Sequence, residues 1–452
     1  MDSKISRASV LLCTEPRTKE FLVNVSKYAF DNPVIQCISE HQKGADIWTG
    51  TYLYGKEYGR SNSVFEKEWS DIYPRSLALR INDKQLAHEW ALRVWNGIEE
   101  LFCTNTFDYV IMPQIDRYLY DIVDRIAEKN NTLVIGAESS IFSGYCRMSV
   151  RGEYKEVRSD VPDEEVEERV RQLTQNDFIP DSETENMKRK HFDIIKKFYR
   201  RKLTENIYYP LMKLVSHDPW NHHYNLTVRK GKHLSDFYTK DLDDYFVRIK
   251  DINVDPKCTV YMPIHVMPEA TVTYHCGDTK FCNYESYIVS LIERADPSIT
   301  IIVKEHPGMY GLRELSFYDQ LKKHPNVILV HPKENSNLLL NKIDTVLTEN
   351  GTVGIEALVR GKRVLVLDRN CYYIFHPNVF LVDDITMDNL NLELSEYSNF
   401  EFVRKLSLCV FKSDFICDTT MMPACSPEQF GKGIREYIKW QATVSDYAGV
   451  SE

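Results

Sequence analysis

The sequence predicts an α/β protein built from two Rossmann-like, parallel-sheet domains that face a cleft, with a helical insertion between them. The chain of 452 residues is too long for one ordinary core and suits two domains of about 200 residues. Strand-like and helix-like segments alternate in both halves, which is typical of parallel strands with helical crossovers. The predicted regions are 1–159 (first domain), 160–250 (insertion and linker), 251–425 (second domain) and 426–452 (C-terminal helix and tail).

The first half supplies four apolar strands separated by amphipathic helices. Apolar residues recur at helical spacing in the segments between the strands, so each helix can cover one face of a sheet. The predicted strands are 8–14, 32–39, 107–114 and 132–139, and the predicted helices are 18–30, 84–102 and 117–130.

The same alternation resumes after residue 257. The predicted strands read CTVYMPIHV, SITIIVKEHP, NVILVHP, DTVLTEN, RVLVLD and VFLVDDI, and the helices between them lie at 284–295, 311–323, 335–342 and 352–360. A last helix at 426–441 begins with Ser426 three positions before Gln429, which is the spacing of a capping box.

Composition excludes several classes of protein. The net charge is −10 without a long basic run, so we expect no nucleic-acid partner. The 11 cysteines match no zinc-binding spacing, and we predict neither a metal site nor a cofactor. The N-terminus lacks a signal-peptide core and no window reaches about 18 apolar residues, so we expect a cytoplasmic protein.

The insertion is dominated by charged helices. We interpret most of these charges as a solvated helix surface. The basic stretch 187–202 is the best candidate for a peripheral association with the inner face of a membrane.

A compact strand–helix–strand unit at 344–368 carries the first candidate site. Ligands bind at the C-terminal ends of parallel strands, and here one strand ends at Asn350, followed by Gly351 and Thr352 at a helix start. Gly351 and Gly354 have no side chains to keep an anion away from the free amide groups of the helix start. The residues therefore predict a phosphate site at this helix, with Glu356 one turn further on.

A second strand ends in Lys304, Glu305 and His306, before Pro307. Strand periodicity places Lys304 and His306 on one side and Glu305 on the other. Both strands end at the same edge of a parallel sheet, so we expect His306 to lie near a phosphate bound at 351–354 and to donate a hydrogen bond to it. The simpler alternative is a His–Pro turn on the surface.

The order of these motifs resembles the capsular polysaccharide biosynthesis family, which includes transferases similar to the Kdo transferases of capsule and lipopolysaccharide assembly. The resemblance is carried by PIHVMPEATV at 263–272, VKEHP at 303–307, and the stretch 326–367. Together they cover about 105 residues.

The resemblance implies a metal-independent GT-B glycosyltransferase with the nucleotide sugar bound in the second domain. In that case Lys304, His306 and residues 350–354 contact the donor, and Glu356 holds the ribose. Many GT-B enzymes carry an additional glutamate eight residues before the ribose-binding one. Here Glu349 lies seven residues before Glu356, so its role is left open.

Catalytic groups are predicted at other strand ends. Glycosyl transfer needs a base or nucleophile near the anomeric carbon, and Glu138 and Asp116 of the first, acceptor-side domain are the predicted carboxylates. His265 is a third predicted catalytic residue, and Glu269 is expected to touch the sugar. The structural alternative for Asp116 is the N-cap of the helix that follows it.

The leading hypothesis is a glycosyltransferase that moves a sugar from a nucleotide-sugar donor, with a CMP-activated acidic sugar such as Kdo favoured, to a growing surface polysaccharide or glycolipid acceptor. A non-hydrolysing nucleotide-sugar epimerase has a similar two-domain fold. A catalytically silent nucleotide- or glycan-binding subunit of a polysaccharide assembly complex is the third alternative. Activity assays separate the first two from the third.

Overall fold

The computed structural model describes residues 5, 7–16, 18–80, 82–157, 161–179, 242–267, 269–310, 313–413 and 426–448, with four further single positions between 179 and 242. Most of the predicted insertion 160–250, including all but one position of the basic stretch 187–202, lies outside the described residues.

By its internal contacts the chain divides into two units. The first unit comprises Met1–Asp163 and Arg404–Glu452, and the second comprises Glu164–Val403. The chain therefore returns to the first unit after residue 403, a crossing that the sequence did not predict. The boundaries of the predicted domains stay a prediction.

The first unit contains one parallel sheet, one small antiparallel sheet and seven helices among its described residues. The strands are β1 (Ser9–Cys13), β2 (Val34–Ser39), β3 (Ile47–Trp48), β4 (Tyr109–Ile111), β5 (Leu133–Ile135), β6 (Ala137–Ser139), β7 (Tyr145–Met148) and β14 (Val410–Lys412). The helices are α1 (Lys19–Ala29), α2 (Gly50–Tyr54), α3 (Ser63–Arg75), α4 (Leu77–Arg80), α5 (Lys84–Thr104), α6 (Tyr118–Lys129) and α15 (Pro427–Ala448), with a 3-10 turn at Lys56–Gly59.

The five-stranded sheet of the first unit has the order β3-β2-β1-β4-β5, and all of its pairs are parallel. Helix α15 packs against α1 at close range, because a Cβ atom added to Gly431 would lie 2.7 Å from the Val25 carbonyl oxygen. At the start of α15 the Ser426 hydroxyl accepts a hydrogen bond of 3.3 Å from the Gln429 amide, as a capping serine does.

The segment predicted as one strand at 132–139 is two strands. It breaks at Gly136, where an added Cβ would lie 2.4 Å from Val150 and 2.9 Å from the Ser149 carbonyl. Before the break β5 joins the parallel sheet, and after it β6 joins a three-stranded antiparallel sheet with the order β14-β7-β6. Glu138 therefore lies within an antiparallel strand, away from the end of a parallel one.

The second unit contains a six-stranded sheet with helices between the strands. The strands are β8 (Thr259–Pro263), β9 (Thr300–Lys304), β10 (Val327–Val330), β11 (Thr345–Thr348), β12 (Arg363–Val366) and β13 (Val379–Leu381). The helices are α7 (Asp163–Thr174), α8 (Ala270–Thr273), α9 (Tyr284–Arg294), α10 (Leu315–Lys322), α11 (Ser336–Leu340), α12 (Thr352–Leu358) and α13 (Met387–Leu390), and α14 (Asn399–Ser407) runs across the boundary after Val403. Short 3-10 turns lie at Asp243–Tyr245, Ile249–Asp251, Pro256–Cys258, Thr279–Asn283 and Pro307–Met309.

Its strand order is β10-β9-β8-β11-β12-β13, and every pair is parallel. The predicted fold class, α/β with two Rossmann-like parallel sheets, is confirmed by the two sheets. In both sheets the chain starts in the middle and reverses its direction of travel across the sheet, between β1 and β4 and between β8 and β11. Doubly wound sheets bind ligands at this switch point, beyond the carboxyl ends of the strands.

Among the described residues, no helix combines the length and the hydropathy needed to cross a bilayer.

Candidate functional site

At the switch point of the second unit, one histidine lies between two carboxylates. His265 follows β8, and its Nδ1 atom lies 3.2 Å from Oε2 of Glu269, four residues later. Its Nε2 atom lies 3.0 Å from Oε2 of Glu349, which follows β11. Because β8 and β11 are neighbours in the sheet, their ends bring His265 and Glu349 together although 84 positions separate them in sequence, from 265 to 349.

The two carboxylates hold His265 in its charged form. Burial alone would lower the pKa of the imidazole, but its contacts with Glu269 and Glu349 outweigh burial and raise the pKa to about 10. Glu349 is buried, with its side chain 3% exposed, whereas the side chain of Glu269 is 36% exposed. The arrangement therefore presents an imidazolium cation with one carboxylate beneath it and one that solvent can reach.

The predicted glycine turn lies directly beside this histidine. A Cβ atom added to Gly351 would lie 3.6 Å from Cε1 of His265. Helix α12 begins at the next residue, Thr352, whose side chain is exposed. The Asn350 Oδ1 atom accepts a hydrogen bond of 3.3 Å from the Tyr372 amide, which fixes the turn before the helix.

The second glycine of the motif serves packing. A Cβ atom added to Gly354 would lie 2.2 Å from the Tyr373 hydroxyl oxygen, a distance that no real structure allows. The same hydroxyl donates a hydrogen bond of 2.9 Å to the Gly351 carbonyl. Gly354 is therefore needed so that Tyr373 can cross α12 and hold the turn at Gly351 in place.

The structure places His265, rather than His306, beside Gly351. His306 follows β9, and β8 lies between β9 and β11, so the ends of β9 and β11 are two strand spacings or about 9.6 Å apart. The Nδ1 atom of His306 accepts a hydrogen bond of 3.0 Å from the Gly308 amide and caps the turn Pro307–Met309. Its link to the site is electrostatic: it is one of the charges, after His265, that lower the pKa of Glu269 against the effect of burial.

Lys304 and Glu356 lie in the interior of the second unit. The Lys304 ammonium donates a hydrogen bond of 3.1 Å to the Pro332 carbonyl, and the residue is 4% exposed. Glu356 is 1% exposed, and burial raises the pKa of its carboxyl group to about 7 against the opposing effects of Arg360, Asn337 and Lys304. Glu356 is therefore not an exposed residue of the helix surface.

In the first unit, Asp116 pairs with its neighbour in sequence. Its carboxylate lies 2.8 Å from Nε and 3.1 Å from Nη2 of Arg117, and its side chain is 37% exposed. The N-cap of α6 is Arg117, so Asp116 does not have the capping role considered above. Arg117 also contacts Glu15 at 2.6 Å and Glu40 at 3.4 Å, so three carboxylates surround one guanidinium at this switch point.

Glu138, the other predicted catalytic carboxylate, supports the antiparallel sheet. It forms a buried ion pair with Arg147 on the adjacent strand β7. It also accepts hydrogen bonds of 2.8 Å from the Ser149 hydroxyl and 2.9 Å from the Gly152 amide. With its side chain 7% exposed and its oxygens bonded, Glu138 has the contacts of a structural residue in this conformation.

Sequence reasoning placed His265 and Glu269 among the site residues but left the role of Glu349 open. The signal that could have identified Glu349 is its position directly after β11, at the strand end that the switch-point rule favours.

Within the described ranges, no group of three or more His, Cys, Asp or Glu side chains is arranged to hold a metal ion.

The site lies inside a region that matches a known family. Residues 173–375 match the family described as Capsule polysaccharide biosynthesis protein. Protein FixF of Sinorhizobium fredii (strain NBRC 101917 / NGR234) is 34% identical over 116 residues, which are 25% of this chain and 27% of FixF. The match thus spans about a quarter of that relative's length.

Solved structures give weaker similarities. The Thermosulfurimonas dismutans KpsC, beta Kdo 2,7 transferase, aligns at 12% identity over 76% of this chain and 89% of its own, with a TM-score of 0.34. The UDP-GlcNAc 2-epimerase from Methanocaldococcus jannaschii aligns at 12% identity over 95% of this chain and 99% of its own, with a TM-score of 0.25. At these levels neither similarity carries functional information.

The family match spans both strand ends that form the histidine site, together with the VKEHP and NGTVG motifs. The resemblance inferred from the motifs is confirmed: residues 173–375, which are 203 of the 452 positions, match the capsule polysaccharide biosynthesis protein family.

Proposed function

We propose that this protein is a glycosyltransferase that moves a sugar from a nucleotide-sugar donor to a surface polysaccharide or glycolipid acceptor. The observation that carries the proposal is the charged His265 imidazole, held between Glu269 and Glu349 beside Gly351 at the switch point of a parallel sheet. A fixed cation at that point suits the phosphate of a nucleotide leaving group.

The proposed reaction breaks the bond between the anomeric carbon and the donor phosphate oxygen, which keeps the electron pair. The His265 imidazolium stabilises the negative charge that develops on this oxygen through its electrostatic field, because both of its ring N–H groups face Glu269 and Glu349. The acceptor hydroxyl oxygen forms the new bond to the anomeric carbon and loses its proton to a carboxylate. Glu349 keeps His265 charged, and the more exposed Glu269 contacts the sugar.

The other predicted residues keep their proposed roles, and the exposure of their side chains decides which of them can contact a substrate directly. Asp116 is the preferred carboxylate for the acceptor proton, because its side chain is far more exposed than that of Glu138. His306, Asn350, Thr352 and the glycine turn are proposed to contact the donor phosphate. Lys304 and Glu356 act from the interior, and Glu356 reaches the ribose only if its covering groups move.

The donor is proposed to be a CMP-activated acidic sugar such as Kdo, which follows from the resemblance of the VKEHP and NGTVG motifs. We propose a cytoplasmic reaction that needs no metal ion, since the cation at the leaving group is a side chain. The acceptor end of the reaction is proposed from the family alone.

A nucleotide screen followed by a transfer assay tests the proposal. We expect CMP to raise the melting temperature of the wild type by about 3 °C or more at saturating concentration, with smaller effects of CDP, UDP and GDP. CMP-Kdo with an oligosaccharide acceptor should then release CMP, with the same rate in EDTA. His265→Gln should lose both effects, and His306→Ala should weaken CMP binding.

The alternatives give different results in the same assays. An epimerase would interconvert UDP-GlcNAc at C2 without an acceptor, and a binding subunit would respond to a nucleotide without turnover of any donor. A wild type that responds to no nucleotide and transfers no sugar would overturn the proposal.

A further inference from the structure

A fully buried arginine lies behind the histidine site, outside every motif discussed so far. Arg313 follows the VKEHP motif by a few residues, and its side chain has no exposed surface. Its Nε atom donates a hydrogen bond of 2.6 Å to Oε2 of Glu305, and its Nη1 atom donates one of 2.7 Å to Oε1 of Glu285. Its Nη2 atom donates a hydrogen bond of 2.7 Å to the backbone carbonyl of His265.

One guanidinium thus joins three elements of the second unit. Glu305 stands directly after β9, Glu285 lies in the first turn of α9, and His265 follows β8. The planar fork of arginine can make these bonds at once, whereas the single ammonium of lysine cannot keep the same directions. The Tyr318 hydroxyl donates a further hydrogen bond of 2.7 Å to Oε2 of Glu305, so the acceptor of the fork is itself held in place.

Both peptide groups of His265 are fixed by side chains. The carbonyl accepts from Arg313, and the amide donates a hydrogen bond of 3.1 Å to the Tyr284 hydroxyl. The ring is held separately, by Glu269 at Nδ1 and by Glu349 near Nε2. The backbone bonds set where the Cα–Cβ bond of His265 points, and the ring contacts depend on that direction.

We propose that Arg313 is a positioning residue that holds His265 in reach of Glu349 and of the donor phosphate. This inference rests on the proposed function for its effect on transfer, but its effect on the His265 ring can be measured without any donor. It also accounts for Glu305: the middle residue of the VKEHP motif points inward to orient Arg313, while the His306 ring caps the turn Pro307–Met309.

The burial of the Arg313–Glu305 ion pair indicates that Arg313 has a positioning role and does not serve stability alone. Two buried charges lose their hydration, and a buried Arg–Glu pair is commonly no more stabilising than apolar residues of the same size. Burial lowers the pKa of Arg313, but Glu305 and its other neighbours outweigh burial and raise it, so the guanidinium stays charged. A charged fork is the group that can bind Glu305 and a carbonyl oxygen together.

The test compares Arg313→Lys with the matched variant Glu285→Gln. Glu285 touches only the outer arm of the fork and its side chain is 38% exposed, so its substitution leaves the bond to His265 intact. We expect Arg313→Lys to lower the titration midpoint of the His265 ring, followed by NMR of the ring nitrogens, by 1 unit or more on the pH scale, roughly a tenfold change in proton affinity. Glu285→Gln should leave that midpoint unchanged.

The kinetic readout is a split between kcat and KM. A displaced catalytic group reduces turnover by up to roughly 100-fold, and donor binding through the rest of the site is retained, so we expect kcat to fall and KM for CMP-Kdo to change less than about threefold. If Arg313→Lys does not fold, the charge-neutral double variant Glu305→Gln/Arg313→Met replaces it, because both buried charges then leave together.

An unchanged His265 midpoint in a folded Arg313 variant overturns the inference, even if its melting temperature drops, because a purely structural residue would behave in that way. If the wild type transfers no sugar, the proposed function fails, and the NMR comparison alone still decides whether Arg313 positions His265.

Discussion

The two parallel sheets of this protein share a strand order around their switch points but carry different charges there. In the first unit Arg117 is surrounded by Glu15, Glu40 and Asp116, and in the second unit His265 lies between Glu269 and Glu349. One cation thus faces three carboxylates in the first unit and two in the second.

The residue that precedes the helix after the fourth strand of each sheet marks the clearest difference. In the first unit it is Arg117, whose long side chain fills the edge of the sheet with its ion pairs. In the second unit it is Gly351, and the His265 ring lies next to the space that a side chain would occupy. The comparison teaches that the same strand order can place a long, ion-paired arginine at one switch point and a glycine beside a histidine at the other.

The largest expected effect is the difference in sugar transfer between a variant of His265 and a variant of Arg117. His265→Gln should reduce sugar transfer by about 100- to 1000-fold, because it removes the charge proposed to stabilise the leaving phosphate. Arg117→Lys keeps a cation among its carboxylates but loses the two-pronged contact with Asp116, the proposed base, so we expect a smaller loss of about tenfold. Steady-state kinetics with CMP-Kdo measure both, and equal losses in the two variants would remove the distinction between the two edges.

Gly354→Ala should disrupt the turn at Gly351 in the second unit through a steric clash, without changing any charge. The added methyl group would lie 2.2 Å from the Tyr373 hydroxyl oxygen, and overpacking of this kind costs about 1–3 kcal/mol. We expect lower thermal stability and loss of the CMP response. Gly277→Ala is the control in the same unit, because its methyl group would lie 3.4 Å or more from other atoms. Similar melting temperatures for the two variants would contradict the packing role of Gly354.

The charge of His265 predicts a pH-dependent stability. Its pKa is about 10 in the folded protein, above the ordinary value of 6.5 that an unfolded chain has, so its contribution is complete below pH 6.5 and is lost as the pH rises toward 10. The difference in melting temperature between wild type and His265→Gln should therefore be about 4–8 °C larger at pH 6 than at pH 10. A difference that stays constant over this range would show that His265 is neutral.

Glu356→Gln should raise stability, and only at higher pH. Burial favours the protonated carboxyl, with a pKa of about 7 against 4.5 ordinarily, so the wild type loses stability between pH 4.5 and 7. We expect the variant to melt about 3–6 °C higher at pH 8 and equally at pH 4.5, and CMP to bind it more weakly if Glu356 holds the ribose. Glu293→Gln, on the exposed surface of α9, is the control and should change neither property.

The smallest effect is expected in the first unit. Burial raises the pKa of Glu40, against the effect of Arg117, so Glu40→Gln should become slightly more favourable than the wild type as the pH rises. We expect a change under about 1 kcal/mol in unfolding free energy and no change in CMP affinity, since Arg117 keeps Glu15 and Asp116 as partners. A loss of CMP binding in this variant would contradict the account, because it would indicate that the nucleotide binds in the first unit.

Most of the fold could be predicted because the strands of both sheets are short apolar segments that alternate regularly with helices. Helix α9, predicted at 284–295, spans Tyr284–Arg294, and α12, predicted at 352–360, spans Thr352–Leu358. The small antiparallel sheet could not be predicted, because its strand β14 comes from a part of the chain 262 positions after β7, from 148 to 410, and the break at Gly136 depends on Val150 passing close by.

The individual residues of the candidate site could be predicted from the sequence, but which of them contact one another could not. Periodicity placed His265 and His306 at strand ends, yet which of them meets Gly351 depends on the strand order across the sheet. Neither Arg313 nor the inward contacts of Glu305 could be inferred, because they depend on the course of the chain after the strand. The contacts of Glu138 could not be predicted for a similar reason, since its partner Arg147 lies on a strand that was not predicted.

The most direct test of the central claim is an NMR titration of the histidine ring nitrogens with CMP, in which His265 is assigned by comparison with His265→Gln. The protein has 13 histidines, so the assignment needs this reference. We predict that CMP shifts the His265 signals at saturation and keeps the ring doubly protonated to a still higher pH, because the phosphate adds a negative charge beside it. Binding of CMP that leaves the His265 signals and their titration unchanged would contradict the account.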